Sequence, residues 1–247
     1  SERYDVAIIG CGEAGIYAGY ELMKQNPGLK VVVLEQGRDI YSRSCPIVAG
    51  KVKDCIQCKV CDTMCGFGGA GAFSDGKFNF TTQFGGWLTD FMDAREVMEL
   101  IDYVDSINVA HGATTEMFST STPEAKALEK KALEFDLHLL QARCKHLGTE
   151  KNLVILQNIY EDLKKGIEFR FNTAVKTIDA ADGGYRLLPR PGSGPGEGGG
   201  CVLRLAHRRP RPLRRRVVRQ RVQAPGYSPH QQPGGHRRPG GAARPGL

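Results

Sequence analysis

Residues 4–37 read YDVAIIGCGEAGIYAGYELMKQNPGLKVVVLEQG. An apolar run from Val6 to Ile9 ends at Gly10. An amphipathic segment follows Gly12 and Gly15, a second apolar run spans Val31 to Leu34, and Glu35 closes it. The order predicts strand, glycine turn, helix, strand and acid. The three glycines play separate roles. Gly10 permits a tight turn off the first strand, Gly12 lets backbone approach a pyrophosphate, and Gly15 lets the helix pack on the sheet. Glu13 and Ala14 stand at the helix start, where unpaired N–H groups and the positive dipole end attract phosphates. Glu35, 20 residues beyond Gly15, is placed to accept hydrogen bonds from both hydroxyls of an adenosine ribose. A free 2'-hydroxyl is expected there, because a 2'-phosphate would face the carboxylate. A βαβ unit with an incidental glycine turn is the competing reading, and the register of strand, helix, strand and acid favours a dinucleotide site.

The chain has 247 residues and a net charge of +7, which hides a split. From Tyr185 onward stand 14 of the 34 basic residues, all Arg, and one of the 27 acids, Glu197; before it lie 20 basic against 26 acidic residues. The two compositions meet near Gly184. The first part, residues 1–184, has ordinary globular content and no apolar run near the length of about 20 that crosses a bilayer. Its opening apolar run flows directly into the glycine turn, so it does not read as a signal peptide. No membrane is expected as a partner, and a reducing, cytoplasmic setting fits clustered cysteines that bind metal or do redox work.

Those cysteines lie in DCIQCKVCDTMCG: Cys55, Cys58, Cys61 and Cys65. Intervals of two, two and three residues match a run that wraps an iron-sulfur cluster, expected here as a four-iron cube. The fourth ligand is Cys65 or the upstream Cys45, which precedes a proline. Tetrahedral zinc uses paired Cys-x-x-Cys as well, and free thiols are the third alternative. Cys11, inside the glycine turn, reads as packing, since a buried thiol behaves as a small hydrophobe.

Next comes GFGGAGAFSDGKFNF. Gly68, Gly69, Gly71 and Gly76 permit left-handed backbone and close approach to a ligand, with Ala70 between them and Ser74, Asp75 and Lys77 supplying polar groups. A tight loop between elements is the plain alternative. So dense a glycine run is an entropic liability unless a ligand lies on it, which favours cofactor contact.

With these motifs in hand, residues 4–37 resemble the FAD-binding start of glutathione-reductase-like and fumarate-reductase-like flavoproteins, in which the second strand ends in Glu followed shortly by Gly, as in LEQG. The larger stretch, with CGEAG, CxxCxxC, GGAGAFSDGK and RCKHLGTEKN, is similar to a branch of FAD-dependent dehydrogenases, or NAD(P)/FAD-dependent oxidoreductases. The resemblance covers roughly residues 1–184. It implies an α/β fold, a Rossmann-like FAD-binding domain with a doubly wound parallel sheet. It implies FAD held by Gly10, Gly12, Gly15 and Glu35, with Glu13, Ala14, Gln36 and the Gly68 to Lys77 block beside it and Val175 near the adenine. The implied activity moves electrons between a small organic substrate and an electron-transfer partner. A non-catalytic dinucleotide- or zinc-binding module is the alternative.

From Phe84 to Val109, apolar residues recur at helical spacing (Phe91, Val97, Met98, Ile101, Val104). Thr122 is an N-cap candidate with Pro123 at the first helical position, and the pattern predicts a helix to about Ala142. His111 and His138 lack a visible partner and read as structural or solvated. Arg143, Lys145 and His146 either hold an anion or form a basic loop between helices. Lys151 to Lys165 is amphipathic, and Ile167 to Leu187 alternates like strands with a turn at Asp182-Gly183-Gly184.

Beyond Leu187 the chain turns to PRPGSGPGEGGG and AHRRPRPLRRRVVRQRVQAPGYS, and ten of the 13 prolines lie here. Without periodicity no packed core can be argued, and residues 185–247 read as a disordered basic tail. A basic arm for nucleic acid is one reading. Arg, Pro, Gly, Ala, Gln and His without any Lys fit a shifted reading frame of GC-rich coding sequence better. Nucleic acid is therefore not an expected partner, and the FAD domain is expected to be incomplete.

Overall fold

The computed structural model describes residues 2–181, 183–191 and 201–204. After a short β1 (Arg3–Tyr4) come β2 (Val6–Ile9), α1 (Glu13–Gln25) and β3 (Val31–Leu34), at the positions the apolar runs dictate. Further along lie β4 (Lys77–Phe80), α2 (Ala94–Ala110), β5 (Phe118–Ser119), α3 (Pro123–Leu133), β6 (Arg143–His146) and α4 (Thr149–Leu163). The strands β7 (Ile167–Arg170), β8 (Val175–Ala181), β9 (Gly184–Pro189) and β10 (Cys201–Arg204) complete the described order.

β2, β3 and β7 form a parallel sheet in the order β2-β3-β7, with Val6 opposite Val31 and Val31 opposite Ile167. The central strand reads VVVL without alternation because both its faces are covered. Val31 and Val33 face a core built from Ile16 of α1 and Ile155, Ile159 and Leu163 of α4. Val32 and Leu34 point the other way, onto Tyr4 and Leu187. Each of these burials contributes about 1.5–3 kcal/mol. A second sheet, ordered β1-β10-β9-β8, supplies that other face, and a third runs β4-β6-β5.

Three expectations shift. The helix anticipated from Phe84 begins only at Ala94, because the Asp93 carboxylate accepts the Arg95 N–H and caps it there; Phe91 is left 85% exposed. Thr122 caps α3 and Pro123 opens it as anticipated, yet the helix stops at Leu133 rather than near Ala142. Asp136 turns left-handed at φ 57, and the Leu137 N–H closes onto the Ala132 carbonyl, a Schellman-type stop. Regular structure also runs past Gly184: β9 pairs along β8, and its Leu187 fills the slot against Tyr4, Val32 and Leu34. β10 pairs with β9 in turn; residues 192–200 and 205–247 of the basic tail, and the shifted-frame reading with them, lie outside the described residues. Among the described residues no helix is long and apolar enough to cross a membrane.

Candidate functional site

The candidate site gathers at the carboxyl ends of β2 and β3. Gly10 takes φ 93, a left-handed conformation that favours glycine, and its N–H donates to the Leu34 carbonyl at 2.8 Å. A Cβ on Gly15 would lie 2.2 Å from the Gly10 carbonyl oxygen, so helix and turn meet backbone to backbone. Gly12 is the N-cap of α1 with no side chain to cap it, and the space where its Cβ would stand is open. The positive end of the helix is thus left without a capping side chain.

Glu35 is 5% exposed, with no carboxylate turned to bulk solvent. Its Oε2 accepts the Cys11 N–H at 2.7 Å, and its Oε1 accepts those of Gly37 at 2.8 Å and Gly66 at 3.0 Å. A carboxylate offers about four acceptor positions. With these donors in place Glu35 retains room for a single hydroxyl, on Oε2, rather than the ribose pair anticipated from sequence. Its own backbone is tied to β7: the Glu35 N–H donates to the Arg170 carbonyl and the Thr173 N–H to that of Glu35. Val175, two residues on, packs partly buried against Val32 and Leu34.

The glycine-rich block folds back over the first turn. The Gly68 N–H donates to the Cys11 carbonyl at 2.8 Å, and a Cβ on Gly69 would come within 3.2 Å of the Gly12 Cα. Gly68 and Gly69 sit at φ 84 and 54, and residues Gly69–Phe73, with Ala70 and Gly71, form a 3-10 helix. Asn152 of α4, buried, donates its amide to the Gly71 carbonyl at 2.8 Å. Ser74, Asp75 and Lys77 lie beyond this helix and are exposed; Asp75 and Lys77 pair with each other at 2.9 Å.

Glu13 stands between the two glycine segments, with its Oε1 2.9 Å from where a Gly71 Cβ would be. It is exposed at the surface, and the loss of hydration where neighbouring protein crowds its carboxyl pushes that group up to about 7. Burial pushes the Cys11 thiol up, with the Glu35 charge adding to it, which supports the packing role.

The cysteine run is less convergent than its spacing. Cys55 and Cys58 are exposed, while Cys45, Cys61 and Cys65 are half-buried. The Cys61 sulfur pairs with the Thr63 hydroxyl at 2.9 Å, which holds its thiol below the usual range, and the Gln36 amide donates to the Cys65 sulfur at 3.2 Å. Among the described residues no group of three or more His, Cys, Asp or Glu side chains is arranged to hold a metal.

Of the anticipated basic and histidine groups, Lys145 and His111 turn inward, while His146 stays exposed. The basic segment at Arg143 is the strand β6, with Lys145 only 1% exposed and both Asp105 oxygens within 2.8 Å of its Nζ; Arg143 pairs with Asp102. His111 binds the Ile107 carbonyl at 2.7 Å through Nδ1 and is structural, and His138 is exposed. Sequence reasoning missed Arg43, Asn152 and Asp105, the partner of Lys145. Their partners stand 19 to 81 residues away along the chain, so no local pattern marks them.

No family model matches the chain. It is 28% identical over 177 residues to an uncharacterized protein of Clostridium beijerinckii, across 71% of this chain and 26% of that protein. It is also 54% identical over 37 residues to the mitochondrial L-2-hydroxyglutarate dehydrogenase of Dictyostelium discoideum, 15% of this chain and 8% of that enzyme. The chain therefore spans about a quarter or less of the length of these curated relatives. Among solved structures, a 3-ketosteroid dehydrogenase from Rhodococcus jostii overlays 83% of this chain and 44% of its own, at 17% identity and a TM-score of 0.44. Glycine oxidase from Geobacillus kaustophilus overlays 78% of this chain and 53% of its own, at 18% identity and a TM-score of 0.42. At scores this low neither overlay carries weight for this chain's chemistry.

Proposed function

We propose that the chain carries the adenosine diphosphate end of an FAD site and belongs to a flavin-dependent oxidoreductase acting on a small organic molecule. The observation that carries this reading is Glu35, buried and held by three backbone N–H groups beside the uncapped start of α1. A carboxylate fixed at that strand end, with one acceptor position left, suits a ribose hydroxyl. The helix start and the open space at Gly12 suit a pyrophosphate.

In this reading Glu35 orients the ribose, Gly12 and Gly69 line the approach with backbone alone, and Glu13, its carboxyl raised to about 7, presents less negative charge to the diphosphate than an ordinary carboxylate. Bound at this site, FAD would supply the acceptor for a hydride or electron pair from the substrate, for onward transfer to a partner. Ser74, Asp75 and Lys77 are candidates by position for the flavin side. Among the described residues the cysteines do not fit an iron-sulfur cluster or zinc, since no set of three converges.

The test is purification under anaerobic conditions followed by an absorbance spectrum and titration with FAD. Flavin bands near about 370 and 450 nm that bleach with dithionite are expected. A protein that purifies without flavin, and takes up neither FAD nor ADP when offered them, overturns the proposal.

A further inference from the structure

We propose that Arg43 is a positioning residue for the diphosphate end of this site, acting through backbone it holds rather than by touching the ligand; this rests on the dinucleotide reading above. Arg43 is a cation with only 8% exposure, and its guanidinium is spent on main-chain carbonyls. Nε donates to Asp62 at 2.8 Å, one Nη to Phe67 at 2.5 Å and the other to Gly69 at 2.8 Å. The Phe73 ring lies 4.8 Å from the guanidinium carbon. Gly66 has no room for a side chain, since a Cβ there would meet the Arg43 Cδ at 2.7 Å, and the Gly66 N–H is one of the donors to Glu35.

One planar fork therefore clamps residues 62–69 into a curve at both ends. The far end of that curve is Gly69, where an added Cβ would come within 3.2 Å of the Gly12 Cα at the start of α1, and next to the Phe67 contact Gly66 donates to Glu35. No other side chain type reproduces this. A lysine ammonium carries its three protons on one atom and cannot reach carbonyls spread around a guanidinium plane. Without the fork, the Gly69 carbonyl loses its donor and the Gly69 end is tied to the first turn by the Gly68 N–H to the Cys11 carbonyl alone, while Glu35 keeps the Cys11 and Gly37 N–H groups that hold it for the ribose. The two halves of the ligand should respond unequally.

The experiment is calorimetric titration of the full chain and of its R43K and R43M variants with ADP and, separately, adenosine, at a temperature where circular dichroism shows each folded. Both variants are expected to lose at least about 30-fold in ADP affinity and less than about 3-fold for adenosine, the factors that separate a lost set of hydrogen bonds from none. Parallel losses for the two ligands, or unchanged ADP binding, overturn the role of Arg43 and leave the dinucleotide reading standing. A wild-type chain that binds neither ligand overturns both. Should neither variant fold, amide exchange on the wild-type chain decides: residues 66–72 should slow on adding ADP and not on adding adenosine, and slowing by both or by neither overturns the proposal.

Discussion

Replacing Glu35 by glutamine removes a charge and swaps one acceptor oxygen for a donor while leaving the shape almost unchanged. In the favourable orientation the amide oxygen stays on the Gly37 and Gly66 side, and the new NH2 faces the Cys11 N–H, now 2.7 Å from a second donor. A buried donor left unpaired costs about 1–3 kcal/mol, and two hydrogen bonds to a charged oxygen become neutral ones at a further cost of about 0.5–1 kcal/mol each. The sum, about 2–5 kcal/mol, is a large share of a typical domain stability of about 5–15 kcal/mol. For a domain of this size it lowers the unfolding midpoint by about 4–20 °C. Thermal circular dichroism of E35Q beside wild type measures this, and FAD titration of the same samples should show about a 10-fold or greater loss of affinity. An E35Q chain that melts within about 2 °C of wild type would refute the claim that these N–H groups depend on the carboxylate.

Gly15→Ala should be more damaging than Gly19→Ala, although both lie in α1. The new Cβ at 15 meets the Gly10 carbonyl at 2.2 Å, whereas at 19 it meets the movable end of Ile167 at 3.0 Å; a loss of about 1–3 kcal/mol is expected for the first in urea titration, with less for the second. Glu13 has its folded-state carboxyl raised to about 7, so the folded chain binds more protons than the unfolded one between about 4.5 and 7. Its contribution therefore favours folding at low pH and is lost as pH rises through that window. E13Q should flatten this slope, read as the difference in urea midpoint between pH 5 and pH 8, and an unaltered slope would count against it. Lys145→Met strands the Asp105 carboxylate in the interior and should cost about 3–5 kcal/mol, much of which the double variant K145M/D105L should restore. Equal stabilities of single and double variants in denaturant titration would refute that coupling.

The β2-α1-β3 unit, its glycine turn and the acid that closes it were legible in the sequence by themselves. Each depends on contacts within a few turns of chain: apolar period, the conformational freedom of Gly10, and the backbone contact that leaves Gly15 no side chain. So were the Thr122 cap and the apolar stripe of α4. Only tertiary structure decided what those elements meet. That residues 62–69 return over the first turn, that Glu35 serves three backbone donors before any ligand, and that Lys145 is spent on Asp105 all require partners 24 to 40 residues apart or more, apart from the neighbouring Gly37. The cysteine spacing shows the same limit from the other side. Intervals along a chain constrain which sulfurs are able to converge, but the backbone path through 45–65 sets whether they do, and here the Arg43 fork and the Cys61 carbonyl, which accepts the Cys65 N–H, spend that path on the crevice.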